Sequence, residues 1–278
     1  MLGTMVRWLM ILVAFQASPA LGASLQWQKL ANGVHYATAT LPAGSDGSGL
    51  LHVVRIDPRS AEIRFLSSSC TGSSSRTAAS WCREEKLVAA INLGMFQQDY
   101  RSNVGHARCG TCVNNGTWSS SYKSALVFGP KQKGLPRAAI LDLDQPSSRD
   151  RAKGYDCVVQ NLRLVRAPGR TVWPEQPKRW SEAAIAQDKS GHILLLFCRT
   201  PYSMRGFCQR LLALPLGIVT AMHVEGGPEA SLSIHSRHVN LDLNGSFETG
   251  FRENDGAASQ WPIPNVIGVA ASGETHAP

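Results

Sequence analysis

The sequence is poor in charge and has no long apolar run. Only 17% of its 278 residues are charged, below the roughly one quarter that is usual in globular proteins. No apolar stretch approaches the roughly 20 residues that cross a bilayer, and no internal repeat or long run of Lys or Arg is present. These absences argue against a membrane-spanning protein, a coiled coil and a protein that follows nucleic-acid phosphates.

What is present describes a loop-rich globular protein. The chain is 43% hydrophobic, with 25 Gly and 15 Pro, and its length allows one large domain or two small ones. The formal net charge is +8, which becomes +7 if a leader containing Arg7 is removed. This mild positive charge disfavours nucleic acid as a partner and suits a phosphorylated sugar or glycan substrate.

Residues 1–23 have the pattern of a signal peptide. Arg7 precedes an apolar run at residues 8–15, and small residues follow before the possible cleavage points after Ala20, Gly22 or Ala23. An uncleaved N-terminal anchor is the alternative. We therefore predict one domain at residues 24–278 that is secreted or periplasmic and has no stable membrane insertion once the signal is removed.

Seven cysteines follow the leader, which fits folding in an oxidising compartment. Local spacing suggests three bridges and leaves Cys157 as a buried thiol, although spacing does not determine connectivity. The suggested pairs are Cys70–Cys82, Cys109–Cys112 and Cys198–Cys208. The Cys109-x-x-Cys112 pair is also compatible with disulfide exchange or a zinc half-site, but its turn-like surroundings favour a structural bridge.

Short apolar segments separated by turn residues predict about ten strands and few helices. Residues 50–56 and 63–66 flank a turn and suggest a hairpin, as do residues 183–187 and 192–198. Residues 81–86 and 207–214 have a helical pattern. The predicted fold is α+β, a strand-rich single domain with a mixed β-sheet and few helices.

Two apolar runs end at polar residues and are the most informative places for chemistry. The first, AAINLGMF at residues 89–96, delivers Asn92 to a sheet edge, and the second, AMHVEGGPEASL at residues 221–232, delivers Glu225 and Glu229. Two carboxyl groups are the usual equipment for sugar transfer, and adjacent glycines let backbone amides approach an anion. The alternative is structural: Glu225 bonds the turn and Glu229 caps a helix.

Five segments, taken in order, resemble the phosphodiester glycosidase family over roughly residues 50–270. They are AINLGMF at 90–96, NVGH at 103–106, YDCVVQNLRLV at 155–165, WSEAAIAQDKSG at 180–191 and MHVEGGPEASL at 222–232. The resemblance implies an exported hydrolase that cleaves the bond between a sugar anomeric carbon and a phosphodiester oxygen. We expect no cofactor and assign no metal ligand. A divalent metal beside several loop carboxylates is the open alternative, although no oxygen-ligand loop such as an EF-hand is present.

The resemblance also implies site residues. Asn92 matches the family's strand-end Asn, Gly226-Gly227 match its double glycine, and Glu225 stands where an Asp is usual. Gln160 and the region of Ser181 and Glu182 match segments that line the family's cleft. Two departures stand out: Glu229 occupies a Ser position, and Glu182 stands where the family often has an Arg, which leaves Arg179 as a nearby candidate.

These matches lead to a hypothesis for each role. Glu225 or Glu229 is the general base or nucleophile, and Asn92 with the amides of residues 226–227 contacts the oxyanion. The remaining substrate contacts are expected from Gln160, Glu182 and His106, with Arg101 or Arg179 binding the phosphate. The alternative function is a non-catalytic glycan- or envelope-binding module on the same fold.

Overall fold

The computed structural model describes residues 25–44 and 47–271, so the predicted signal peptide lies outside the described residues. Within them the chain forms eighteen strands and four short helices. The strands of the first half are β1 (Gln28–Ala31), β2 (Val34–Thr40), β3 (Leu50–Ile56), β4 (Glu62–Ser67), β5 (Ala89–Asn92), β6 (Ala107–Cys109), β7 (Cys112–Asn115), β8 (Ser124–Pro130) and β9 (Ala138–Asp142). Those of the second half are β10 (Tyr155–Asn161), β11 (Arg163–Arg166), β12 (Arg170–Thr171), β13 (Trp180–Asp188), β14 (Ile193–Tyr202), β15 (Ile218–Gly226), β16 (Ser231–His235), β17 (Asn240–Asn244) and β18 (Asn265–Ala270). The helices are α1 (Ser68–Thr71), α2 (Ala78–Glu84), α3 (Ser148–Lys153) and α4 (Met204–Leu212).

The strands form three sheets. The large sheet has the order β1-β2-β3-β14-β13-β15-β11-β12, the second sheet β7-β6-β10-β8-β9, and the third sheet β17-β16-β5-β18-β4. Every neighbouring pair of these described strands is antiparallel. The strand-rich α+β single domain is thus confirmed, but the expectation of a mixed sheet is wrong. Several neighbouring strands are consecutive in sequence, such as β1 and β2, β6 and β7, and β13 and β14, and short turns join these antiparallel pairs.

One central core is shared by the inner faces of all three sheets. Alternation along β14 shows how it is built: Ile193, Leu195 and Phe197 face the central core, whereas Leu194 and Leu196 face the opposite side of the large sheet. Both faces of this strand are buried, which explains its continuous apolar sequence.

Each sheet covers its outer face with one helix. Helix α4 packs Phe207 and Leu211 against the large sheet, and its N-cap Ser203 accepts a hydrogen bond from the Gly206 amide. Helix α2 places Trp81 against the third sheet, and α3 places Ala152 against the second. The three sheets and three helices together bury a large apolar surface. This burial stabilises the fold and lets polar residues be held at the sheet edges.

The two predicted hairpins have different outcomes. The hairpin of residues 183–187 and 192–198 is confirmed as β13 and β14, and the carboxylate of Asp188 accepts from the amides of Ser190 and His192 in the turn. The hairpin of residues 50–56 and 63–66 is wrong. Both strands exist, but β3 pairs with β2 and β14 in the large sheet, whereas β4 pairs with β18 in the third. The turn between them passes from one sheet to another.

The predicted cysteine pairs are also wrong. The structure has Cys70–Cys112 and Cys109–Cys157 bridges, and Cys82, Cys198 and Cys208 are free and buried. Cys109 and Cys157 face each other on β6 and β10, a contact between strands that lie far apart in sequence. Spacing along the chain carries no signal for such a pairing.

The free cysteines should be chemically silent in the folded protein. Burial raises the pKa of the Cys198 and Cys208 thiols to about 12 and also raises that of Cys82. We expect iodoacetamide to label none of the seven cysteines in the native protein, three after denaturation and all seven after reduction. Peptide mapping by mass spectrometry of the unreduced protein would show the pairing, and a linked Cys109–Cys112 peptide would contradict it.

Candidate active site

The ends of β13 and β15 bring several acidic residues to one edge of the large sheet. Glu182 lies opposite Gly226 and Ala183 opposite Glu225, and the register shifts between Ala183 and Ala184. Such a bulge interrupts the regular alternation of side chains and changes the direction of those beside it. The irregularity therefore falls at the point where β15 delivers its acidic residue.

A buried ion pair joins the two strands. Nδ1 of His223 is 2.7 Å from Oε1 of Glu182, and both side chains are almost fully buried. The indole N–H of Trp180 donates to the other oxygen of Glu182 at 2.7 Å. Glu182, predicted as a substrate contact, thus binds two side chains of the protein, and the indole N–H of Trp180 is committed to it.

Glu225 lies beside this pair in a strongly perturbed environment. Its Oε1 accepts a hydrogen bond from the amide of Gly226 at 3.1 Å. Burial raises the pKa of Glu225 to about 8, and the charges of Glu229 and Glu248 add to the effect while His223 opposes it. At neutral pH Glu225 therefore carries a proton.

Glu229 and Glu248 meet at Gly227. This glycine has φ +65°, in the left-handed region, and a Cβ there would lie 2.7 Å from Oε2 of Glu248 and 3.6 Å from Oε2 of Glu229. Burial raises the pKa of both carboxyl groups. Only a glycine lets the two carboxyl groups lie this close to the backbone.

The sequence reasoning missed Glu248 and did not single out His223. Glu248 forms isolated bridges with Trp180 and Arg252. No local pattern predicts the bridge to Trp180, because these two residues lie far apart in sequence. A signal for His223 did exist, because it precedes Glu225 by two positions on the same strand.

Asn92 connects the third sheet to the acidic turn. Its Nδ2 donates to the carbonyl of Glu229 at 3.1 Å, and its Oδ1 accepts from the amide and hydroxyl of Ser231 at 2.8 and 3.3 Å. The side chain is buried. Asn92 therefore lies next to Glu229, as the sequence suggested, but its amide group holds the turn rather than facing open space.

Gln160 is a buried node beneath the loop that follows β5. Its amide oxygen accepts from the amides of His106 and Ser119, and its amide nitrogen donates to the carbonyls of Ser119 and Tyr122. The ring of His106 stacks on Trp118 with centroids 4.5 Å apart. These two rings line a cavity of about 400 Å³ whose lining includes none of the clustered glutamates.

The two predicted phosphate-binding arginines lie at different places. Arg101 is exposed, and its carbonyl accepts from the side-chain amides of Asn114 and Asn265. Arg179 directly precedes β13, and its backbone bonds Thr249, the residue after Glu248. Arg179 is thus tied to the acidic edge and Arg101 to the loop after β5.

Two further features lie outside this edge. A groove of about 760 Å³ runs between β4 and the second sheet, lined by the Cys109–Cys157 bridge among others. In residues 25–44 and 47–271, no three His, Cys, Asp or Glu side chains are arranged to hold a metal ion. The same residues contain no helix that is long and apolar enough to cross a bilayer.

Clustered carboxyl groups with different proton affinities are typical of glycosidases, and this edge of an α+β domain fits that class. The family model for phosphodiester glycosidases matches residues 85–270, more than half of the sequence. The chain therefore belongs to the phosphodiester glycosidase family.

Solved structures share the fold. A hypothetical protein from Synechocystis superposes with a TM-score of 0.58 at 16% identity; the match covers 85% of this chain but only 62% of that one. The zebrafish N-acetylglucosamine-1-phosphodiester alpha-N-acetylglucosaminidase catalytic domain, auto-inhibited by its pro-peptide, gives 0.56 at 12% identity and covers 88% of both chains. A search of curated proteins finds no match.

We expect Asn92→Ala to lower the free energy of unfolding by about 2 to 4 kcal/mol, because it leaves buried backbone groups of Glu229 and Ser231 without partners. Urea unfolding measures this, with Asn240→Ala, an exposed asparagine on β17, as the control. Unchanged stability together with a large loss of hydrolysis would instead make Asn92 a direct substrate contact.

Glu225 should make stability depend on pH. Its pKa is raised in the folded state, so the protonated form is favoured there, and stability is fully present below the unfolded pKa of 4.5 and lost as pH rises to about 8. We expect Glu225→Gln to reduce the fall in melting temperature between about pH 5 and about pH 9. An unchanged pH dependence would show that Glu225 ionises normally.

Proposed function

We propose that this protein hydrolyses the glycosidic bond of a sugar-1-phosphodiester at the acidic edge of the large sheet. The observation that carries the proposal is the grouping of Glu225, Glu229 and Glu248 beside one backbone turn, with Glu225 protonated at neutral pH. An acid and a carboxylate in one site are what such a reaction needs. Membership of the phosphodiester glycosidase family supports the same reaction class.

In this proposal Glu225 is the general acid. A carboxyl group with a pKa of about 8 keeps its proton at neutral pH and donates it to the departing phosphodiester oxygen. A neutral acid also avoids repelling the phosphate. This role differs from the general base or nucleophile expected from the sequence, because burial was not visible there.

The second carboxyl group is Glu248, with Glu229 as its neighbour. Although burial raises its pKa, the positive charges of His223 and Lys178 favour the ionised form of Glu248. Among the described residues no positive charge lowers the pKa of Glu229, which Glu248 raises further. We therefore assign Glu248 one of two roles. It is either the base that takes a proton from the water attacking the anomeric carbon, or the nucleophile that attacks this carbon before water releases the sugar.

The other predicted residues take supporting roles. Asn92 and Gln160 are positioning residues, because their amide groups hold the acidic turn and the loop after β5. Gly226 and Gly227 let Trp180 and the two carboxyl groups approach the backbone. Arg179 and Arg101 are proposed as outer contacts of the substrate phosphate, and His106 as an outer contact of the substrate.

We also propose that residues 1–23 direct export and that the mature protein is secreted or periplasmic. Two disulfides in the described residues support an oxidising compartment.

The test is release of free reducing sugar from a panel of UDP-sugars and sugar-1-phosphodiesters by the purified, oxidised mature protein. We expect Glu225→Gln and Glu248→Gln to lower kcat by at least about 100-fold with folding retained. Glu62→Gln, on the exposed side of β4, should match the wild type. The wild-type rate should fall as pH rises through about 8.

Full activity of Glu225→Gln would overturn the assignment of the acid. A folded wild type that binds the panel saturably without turnover would instead support the glycan-binding alternative.

A further inference from the structure

The acidic edge contains one buried basic side chain, His223. His223 interacts electrostatically with three acidic residues, Glu182, Glu225 and Glu248. Among the described residues, no other buried basic side chain interacts with all three. Lys178 and Arg179 lie nearby but are exposed. A substrate that carries a negative phosphodiester would be repelled by this site unless a positive charge met it.

The His223 ring is held in one orientation. Nδ1 bonds Glu182, whose second oxygen is fixed by Trp180, and the backbone amide of His223 donates to the carbonyl of Leu162 at 3.0 Å. When Nδ1 faces a carboxylate, the proton on Nε2 is free to be donated elsewhere. Nε2 has no hydrogen-bond partner in residues 25–44 and 47–271 and is not one of the fully buried atoms that lack a partner, so it keeps some exposure to solvent.

We propose that Nε2–H of His223, oriented by Glu182, binds a non-bridging oxygen of the substrate phosphodiester and selects substrates with an anionic leaving group. This inference rests on the proposed function. It adds a phosphate-binding residue that is buried and fixed, unlike the exposed arginines.

The charges around His223 are compatible with this role. Burial lowers the pKa of its imidazole, but the charge and hydrogen bond of Glu182 from β13, with the charge of Glu248 from the segment after β17, raise it overall; Glu225 on its own strand contributes only when it is ionised. The Trp180 indole is the neutral neighbour, with ring centroids 6.3 Å apart. His223 is therefore the buried basic group of this edge, and Glu182 favours its charged form.

The experiment compares two substrates with the same sugar: a 1-(methyl phosphate) phosphodiester and a neutral p-nitrophenyl glycoside. We expect His223→Gln to raise KM for the phosphodiester at least about 10-fold and to change KM for the neutral glycoside less than about 3-fold. Its effect on kcat should be similar for the two substrates, because His223 also favours the ionised form of Glu248. Competitive inhibition by inorganic phosphate should weaken by a similar factor. In the wild type, KM for the phosphodiester should rise as His223 loses its proton, and in the variant only the rise caused by ionisation of Glu225 should remain.

Matched variants separate this role from a structural one. His192→Gln breaks another His–carboxylate pair, with Asp188 at 2.8 Å in the β13–β14 turn, and should leave both substrates unaffected. The double variant Glu182→Gln/His223→Gln leaves no unpaired buried carboxylate and should reproduce the selective loss if a single variant unfolds. Glu182→Gln alone should shift the pH dependence of KM to lower pH, because the imidazole loses its charged partner.

Equal changes in KM for both substrates, or an unchanged KM for the phosphodiester, would overturn the inference. If the wild type turns over neither substrate, the proposed function fails, and calorimetric titration with the phosphodiester then tests the inference alone. Weaker binding to His223→Gln would support it, whereas equal binding would overturn it.

Discussion

The constraint on this structure is the free-energy cost of burying several carboxyl groups at one edge of the large sheet. Glu182, Glu225, Glu229 and Glu248 lie close together and are at least partly buried, an arrangement that costs free energy unless the charges are neutralised. Two neutralisations occur: Glu182 pairs with His223, and Glu225 keeps a proton. The apolar core shared by three sheets stabilises the fold and offsets the free-energy cost of burying these carboxyl groups.

Rigid polar nodes keep the acidic edge in place. Asn92 ties β5 of the third sheet to the turn after β15 of the large sheet, so that two sheets fix the position of Glu229. Gln160 holds two segments in place, the loop before β6 and the loop after β7, with four hydrogen bonds to their backbone groups. A buried amide that satisfies backbone groups on separate elements stabilises one arrangement over its alternatives.

Local patterns predicted what depends on neighbouring residues. The β13–β14 hairpin followed from its turn and its apolar runs, and Asn92 and Glu225 followed from the abrupt ends of two buried strands. Contacts between distant segments were not predictable. The Cys109–Cys157 bridge and the approach of Glu248 to Trp180 depend on tertiary pairing, and β3 and β4 separate into different sheets although the turn between them looks like a hairpin turn. Protonation is a further case, since burial and not residue type decides which glutamate keeps its proton.

The protonation states link binding to chemistry. In the proposed reaction, while Glu225 is neutral and His223 charged, the edge combines a proton donor with a positive charge, which is the complement of an anionic leaving group. When pH rises through about 8, Glu225 ionises, so the site loses its proton donor and gains a negative charge that repels the phosphodiester. Binding and catalysis should therefore weaken together rather than in sequence, because one carboxyl group controls both. An uncharged aglycone would lose only the proton donor, so the protein would discriminate between charged and neutral substrates most strongly below that pH.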